Sequence, residues 1–203
     1  MKKLFTLCLL SIGLLAKAQT AGYQIGDVAK DFSLKNYDGK TVSLADYKNA
    51  KGYIVVFTCN TCPYAVAYQD RVIALNTKYA AKGYPVIAIN PNDPVAQPAD
   101  TYEKIQQRAK EKNFVFPYLM DPDHVVTKQF GASRTPHVFV LEKTEKGNLV
   151  QYIGAIDDDT EGNNPEKNKY VEAAIDAIAA GKKPAVATTK AIGCTIKWKK
   201  QGA

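Results

Sequence analysis

Histidine, tryptophan and cysteine are scarce in these 203 residues: two histidines, one tryptophan and four cysteines. There is a single Cys-x-x-Cys, Cys59-Asn60-Thr61-Cys62, and no second one. A structural zinc centre needs four ligands, and beyond that pair, and Cys8 in the N-terminal apolar run, the sequence offers only Cys194, His124 and His137, with no paired spacing. Covalent haem requires histidine directly after the second cysteine, where Pro63 stands. The sequence therefore implies no metal and no resident cofactor. Internal repeats and low-complexity tracts are also lacking, and the apolar run Leu4 to Leu15, at 12 residues, is well short of the roughly 20 that span a bilayer as a helix.

That run is preceded by Lys2 and Lys3 and followed by Ala16-Lys17-Ala18, the charge, apolar core and small-residue order of a secretory signal. Residues 1–18 are read as a cleaved signal peptide, so the mature chain is expected to begin at Gln19, without Cys8 and without stable insertion in the membrane. An exported, periplasmic or extracellular location follows. The formal charge falls from +7 to +4 on removal of the segment. The remaining lysines are scattered except for Lys197-Trp198-Lys199-Lys200, which reads as a solvated surface and gives no reason to expect a nucleic-acid partner.

The mature 185 residues suffice for one compact domain. Around the turn Asp38-Gly39, the runs Asp31 to Leu34 and Thr41 to Leu44 read as a hairpin. Tyr53 to Phe57 is a continuous β-branched and aromatic run, which suits a strand buried on both faces. After Pro63, apolar residues Ala65, Tyr68, Val72, Leu75 and Tyr79 recur at helical spacing until Lys82-Gly83. Pro85 to Ile89 reads as a second buried strand, joined to the first by a parallel crossover. A proline-rich loop, Asn90 to Asp100, leads to helices over Thr101 to Lys112 and Asp123 to Phe130. Strands His137 to Leu141 and Leu149 to Ile156, turning at Lys146-Gly147-Asn148, should pair antiparallel. A polar loop, Asp157 to Lys169, precedes a last helix through Val171, Ala174, Ile175 and Ile178. This order predicts an α/β domain over 19–181: one mixed sheet with helices on both faces and an N-terminal hairpin extension. Residues 182–203 are read as a C-terminal tail carrying Cys194.

Cys59 and Cys62 lie where a buried strand hands over to a helix, beside unpaired N–H groups and the positive end of the helix dipole. A thiolate is stabilised there, and a partner two residues on can close a short disulfide. Pro63 fits the first helical turn, where its missing N–H costs nothing. Cys59, at the mouth of the helix, is expected to be the more exposed, low-pKa attacking thiol, and Cys62 the resolving one.

A strand, Cys-x-x-Cys and helix followed about seventy residues later by Thr135-Pro136 and a strand resembles the thioredoxin superfamily. The hairpin with Asp31-Phe32-Ser33-Leu34 and Asp38-Gly39-Lys40 is similar to the N-terminal extension of its redoxin branch, which includes peroxiredoxins. Phe57 to Tyr64, Ala88 to Asp93 and Ile192 to Trp198 resemble the peroxiredoxin-like thioredoxin family proteins. The resemblance implies a thioredoxin-like fold, a cis Pro136 beside the redox cysteines and Thr135 as the residue whose backbone pairs with bound peptide. It implies a thiol-disulfide oxidoreductase in which Cys59 and Cys62 exchange disulfides with protein thiols and a thiol electron donor. The chain departs from standard thioredoxin in lacking tryptophan before Cys59 and in placing proline after the pair.

Two other readings compete. A thiol peroxidase, with antioxidant activity, needs Pro-x-x-x-Thr/Ser-x-x-Cys, but Val55 and Cys59, or Gly52 and Val56, occupy the two key positions in the two registers. Arg134, which could orient a peroxide, reads as an exposed salt-bridging residue. The second alternative is a binding module in which Cys59–Cys62 is a structural bridge. So small a loop constrains the unfolded chain little, which favours redox use. Cys194 is read as a packed or free thiol, and alternatively as a resolving cysteine that accepts the disulfide from Cys59 or Cys62.

Overall fold

The computed structural model describes residues 22–200, so the expected signal segment and its cleavage point lie outside the described residues. The elements in chain order are β1 (Val28–Ala29), β2 (Ser33–Asn36), β3 (Thr41–Ser43), β4 (Gly52–Phe57), α1 (Pro63–Tyr79), β5 (Val86–Asn90), α2 (Tyr102–Glu111), β6 (Tyr118–Met120), α3 (Val125–Phe130), β7 (Arg134–Thr135), β8 (His137–Thr144), β9 (Gly147–Gly154), α4 (Tyr170–Ala179) and β10 (Cys194–Thr195). Eight strands form one sheet in the order β1-β9-β8-β4-β5-β6-β2-β3.

Strand β4 is buried at all six positions because it lies inside the sheet with both faces covered. Its alternation divides the core in two. Ile54 and Val56 join Val72 and Leu75 of α1, Ile105 of α2 and Ile175 of α4 on one face. Tyr53, Val55 and Phe57 point to the other face, where α3 supplies Val126 and Phe130. Helices thus flank the mixed sheet on both sides as expected. Phe130 anchors the second face through edge-on contacts with Phe32 and Phe139 and a tilted one with Phe57. Each such fully buried side chain contributes about 1.5–3 kcal/mol of transfer free energy.

Strands β4, β5 and β6 run parallel, and β8 pairs antiparallel with β4, setting Phe57 opposite His137. The hairpin β2–β3 adds to the sheet through β6. Strand β6 is absent from the sequence reading: Tyr118-Leu119-Met120 is too short a run to display a period. The β8–β9 turn also sits earlier than expected. Thr144 already pairs with Gly147, leaving Glu145-Lys146 as a two-residue loop.

The residues after α4 return to the domain. Thr189 N–H donates to Ile153 O at 3.0 Å, and β10 pairs antiparallel with β7 to form a second, two-stranded sheet. Among the described residues no helix is long and apolar enough to cross a membrane.

Candidate active site

Strand β4 ends at Phe57 and α1 begins at Pro63, so residues 58–62 form the turn that presents both cysteines. Cys62 is the N-cap of α1 and Pro63 takes the first helical position, as the sequence indicates. The Thr135-Pro136 peptide is cis. Strand β7 brings Thr135 over the turn: its Oγ1 lies 3.2 Å from Cys59 Sγ and its carbonyl oxygen 3.1 Å from Cys62 Sγ. The residues singled out in the sequence, Cys59, Cys62, Thr135 and Pro136, are therefore brought together.

The disulfide differs from the expected pairing. Cys62 is joined to Cys194 across 132 residues, and among the described cysteines Cys59 is the free one. Cys194 is neither a merely packed nor a free thiol: β10 sets it opposite Thr135 in register, and its N–H donates to Cys62 Sγ at 3.2 Å. The pairing position that the resemblance gives to a bound peptide is thus occupied by the chain's own tail. Arg134, expected to be exposed and salt-bridging, is half-buried and donates from Nη1 to Gly193 O at 2.9 Å. Among the described residues no group of three or more potential ligands is placed to hold a metal.

Cys59 also departs from its expected character. At 7% exposed against 4% for Cys62 it keeps the expected order, but neither residue is prominent at the surface. Burial and the Asp100 carboxylate push the Cys59 thiol up, while the Thr135 hydroxyl and the N–H groups of Cys62 and Thr61 pull it down. The helix-terminus effect foreseen from the sequence is present, but desolvation outweighs it.

Asp100 is the site residue that the sequence conceals. Fully buried in the loop before α2, it accepts from Asn60 N–H at 2.8 Å and from the side-chain amides of Asn90 and Asn92 at 3.2 and 2.7 Å. Asn60 is held further by Tyr118 Oη at 3.0 Å and by Arg108 Nη2 at its carbonyl, 2.9 Å. Gln97 Nε2 donates to Thr61 Oγ1 at 2.7 Å. The two residues between the cysteines are thus clamped from the loop preceding α2. The Asn90-Pro91-Asn92 run was the available signal; nothing local linked it to Asp100. Above the turn an open cleft of about 150 Å³ is lined by Cys59, Cys62, Cys194, Thr61, Gln97 and Thr135, among others.

These positions predict a pH profile. Because its thiol is pushed up, Cys59 should alkylate with a midpoint above the roughly 8.5 of a free cysteine. Asp100→Asn removes the repelling anion and should move that midpoint down. Iodoacetamide rates measured against pH for both proteins check this, and an unchanged or raised midpoint in the variant would contradict it.

A family profile described as the AhpC/TSA family matches residues 25–151. The thiol-disulfide oxidoreductase ResA of Geobacillus thermodenitrificans is 26% identical over 60% of this chain and 66% of its own length. A putative peroxiredoxin of Mycobacterium tuberculosis, MT2597, is 27% identical over 66% of this chain and 78% of its own. The chain thus spans about two thirds to three quarters of these relatives. The crystal structure of a hypothetical protein, SMc02350 from Sinorhizobium meliloti, superposes with a TM-score of 0.80 at 33% identity, covering 88% of this chain and 96% of that one.

Proposed function

The chain belongs to the AhpC/TSA family, in the redoxin branch of the thioredoxin superfamily, and from that premise we propose that it is an exported thiol-disulfide oxidoreductase acting on protein disulfides. Its chemistry is that of a redox enzyme. One observation carries the assignment: Cys59, a free thiol under the Thr135 hydroxyl, faces the same cleft as a disulfide built from Cys62 and Cys194. Thiol and disulfide side by side are the two reactants of an exchange reaction.

Cys59 attacks the substrate disulfide, giving a mixed disulfide and releasing one substrate thiol. Cys62 then attacks Cys59 Sγ and releases the second. The Thr135 hydroxyl and the N–H groups of Thr61 and Cys62 stabilise charge on Cys59 as it becomes nucleophile or leaving group. Because the Thr135 edge is already paired with Cys194, the substrate disulfide enters through the cleft beside Thr61 and Gln97. A thiol donor returns the enzyme to its reduced form.

Dithiothreitol-driven reduction of insulin should run well above the rate of dithiothreitol alone. A rate at background would contradict the proposal. The peroxiredoxin relative supports a second reading, thiol peroxidation, which hydrogen peroxide consumption by the purified protein separates from the first. Export rests on the order of Lys2-Lys3, the apolar run and Ala16-Lys17-Ala18. Protein secreted by the native host should begin at Gln19, and recovery of Met1 or Cys8 in the secreted form contradicts it.

A further inference from the structure

We propose that Cys194 is the third thiol of a relay, taking the disulfide from Cys62 so that Cys59 is returned free while the oxidised pair is held at Cys62–Cys194. The inference rests on the oxidoreductase reading above and adds to it where the two electrons come from.

The tail is built to hold this sulfur in place. Upstream, Thr189 is tied to Ile153 through its N–H at 3.0 Å and to Tyr152 through its hydroxyl at 2.6 Å. Downstream, Ile196 is 4% exposed within the core on the α3 side of the sheet. Lys197 N–H donates to Asn92 Oδ1 at 2.9 Å, and its carbonyl accepts from Asp93 N–H at 2.8 Å. Between these anchors, β10 keeps Cys194 in register with Thr135. A free tail would pay loop-closure entropy to bring together sulfurs 132 residues apart. A pinned one presents Cys194 at high effective concentration.

The exchange closes without any further reagent. After Cys62 has displaced the substrate, the protein holds Cys59–Cys62 and a Cys194 thiol. Cys194, as thiolate, attacks Cys62 Sγ; the Cys62–Cys194 bond forms, the Cys59–Cys62 bond breaks, and Cys59 leaves as a thiolate that takes up the proton lost by Cys194. Over the cycle, the Cys62 and Cys194 thiols supply two electrons and two protons to one substrate disulfide, and Cys59 ends as it began. The leaving Cys59 is received by the Thr135 hydroxyl at 3.2 Å and by the N–H groups of Thr61 and Cys62. The structure shows the end point, with Cys59 free and Cys62–Cys194 joined. An external dithiol then reduces Cys62–Cys194.

The test is a time course on the full mature chain. Fully reduced protein is mixed with one equivalent of oxidised glutathione, quenched in acid, alkylated with N-ethylmaleimide and mapped without reduction. The relay predicts a transient Cys59–Cys62 peptide giving way to Cys62–Cys194, with Cys59 alkylated. Cys194→Ser should stop at Cys59–Cys62, raising its final yield at least tenfold. The relay is overturned if wild type consumes glutathione disulfide yet ends at Cys59–Cys62, or if the Cys62–Cys194 bond resists dithiothreitol throughout turnover. The wild-type course decides this even if the variant does not fold. Failure of wild type to consume the disulfide at all brings down the oxidoreductase reading itself, and the relay with it.

Discussion

Cys59→Ser is expected to lower disulfide turnover by about three orders of magnitude or more, the scale on which loss of a nucleophile is felt. An alcohol is far less acidic than a thiol, and only the ionised form attacks. The fold should be indifferent to the change. Serine is smaller than cysteine, keeps one donor and one acceptor, and can bond Thr135 Oγ1, which lies 3.2 Å from the present sulfur. The Cys62–Cys194 disulfide does not include residue 59, so once an external oxidant has closed it the bridged fold should be the same. Insulin reduction coupled to dithiothreitol measures the first effect, and a melting curve with disulfide mapping measures the second. Substantial residual turnover would mean that another sulfur meets the substrate.

Gly193→Ala is expected to destabilise the protein by about 1–3 kcal/mol, the range for overpacking, and to lower the yield of Cys62–Cys194 severalfold. A Cβ at 193 would meet the carbonyl oxygen and carbon of Thr135 within contact distance and the nitrogen of Pro136 at 3.0 Å. All three are backbone atoms, so no side chain can rotate away. The strand must shift instead, and the next residue is Cys194. Arg134, which donates to the Gly193 carbonyl, would lose its partner as well. Maleimide labelling of Cys194 in air-oxidised protein, beside a thermal melt, reads both effects. Unlabelled Cys194 and an unchanged melting temperature would show that the seating of the tail does not depend on this close approach.

Much of the architecture was legible because it is written in local periods. The unbroken apolar run before Cys59 and the helical spacing from Ala65 to Tyr79 define β4 and α1 within a residue or so, and their junction fixes the place of the cysteines. Thr135-Pro136 was legible only through family resemblance, since nothing in its local sequence distinguishes a cis proline from a trans one. The missing parts are long-range. Cys194 lies in a tail with no period of its own, and its partner is 132 residues away, so the short Cys59–Cys62 pairing was the one that spacing could suggest. Asp100 reaches Asn60 from 40 positions downstream. It joins burial in raising the Cys59 thiol, whereas the sequence displayed only the helix terminus that lowers it. Exposure and pKa at this cysteine are thus tertiary properties.

The account turns on Cys59 being the sulfur that bonds to substrate. The most direct measurement is intact-mass spectrometry of Cys59→Ser and Cys62→Ser, each reduced, desalted and incubated with an excess of an oxidised cysteine peptide. Cys62→Ser should carry the peptide as a mixed disulfide on Cys59, located by fragmentation, because the thiol that would release it is gone. Cys59→Ser should carry none, and its Cys62 and Cys194 should stay reduced. A peptide trapped on Cys62 in the Cys59→Ser protein, with Cys62→Ser unmodified, would reverse the assignment and contradict the mechanism.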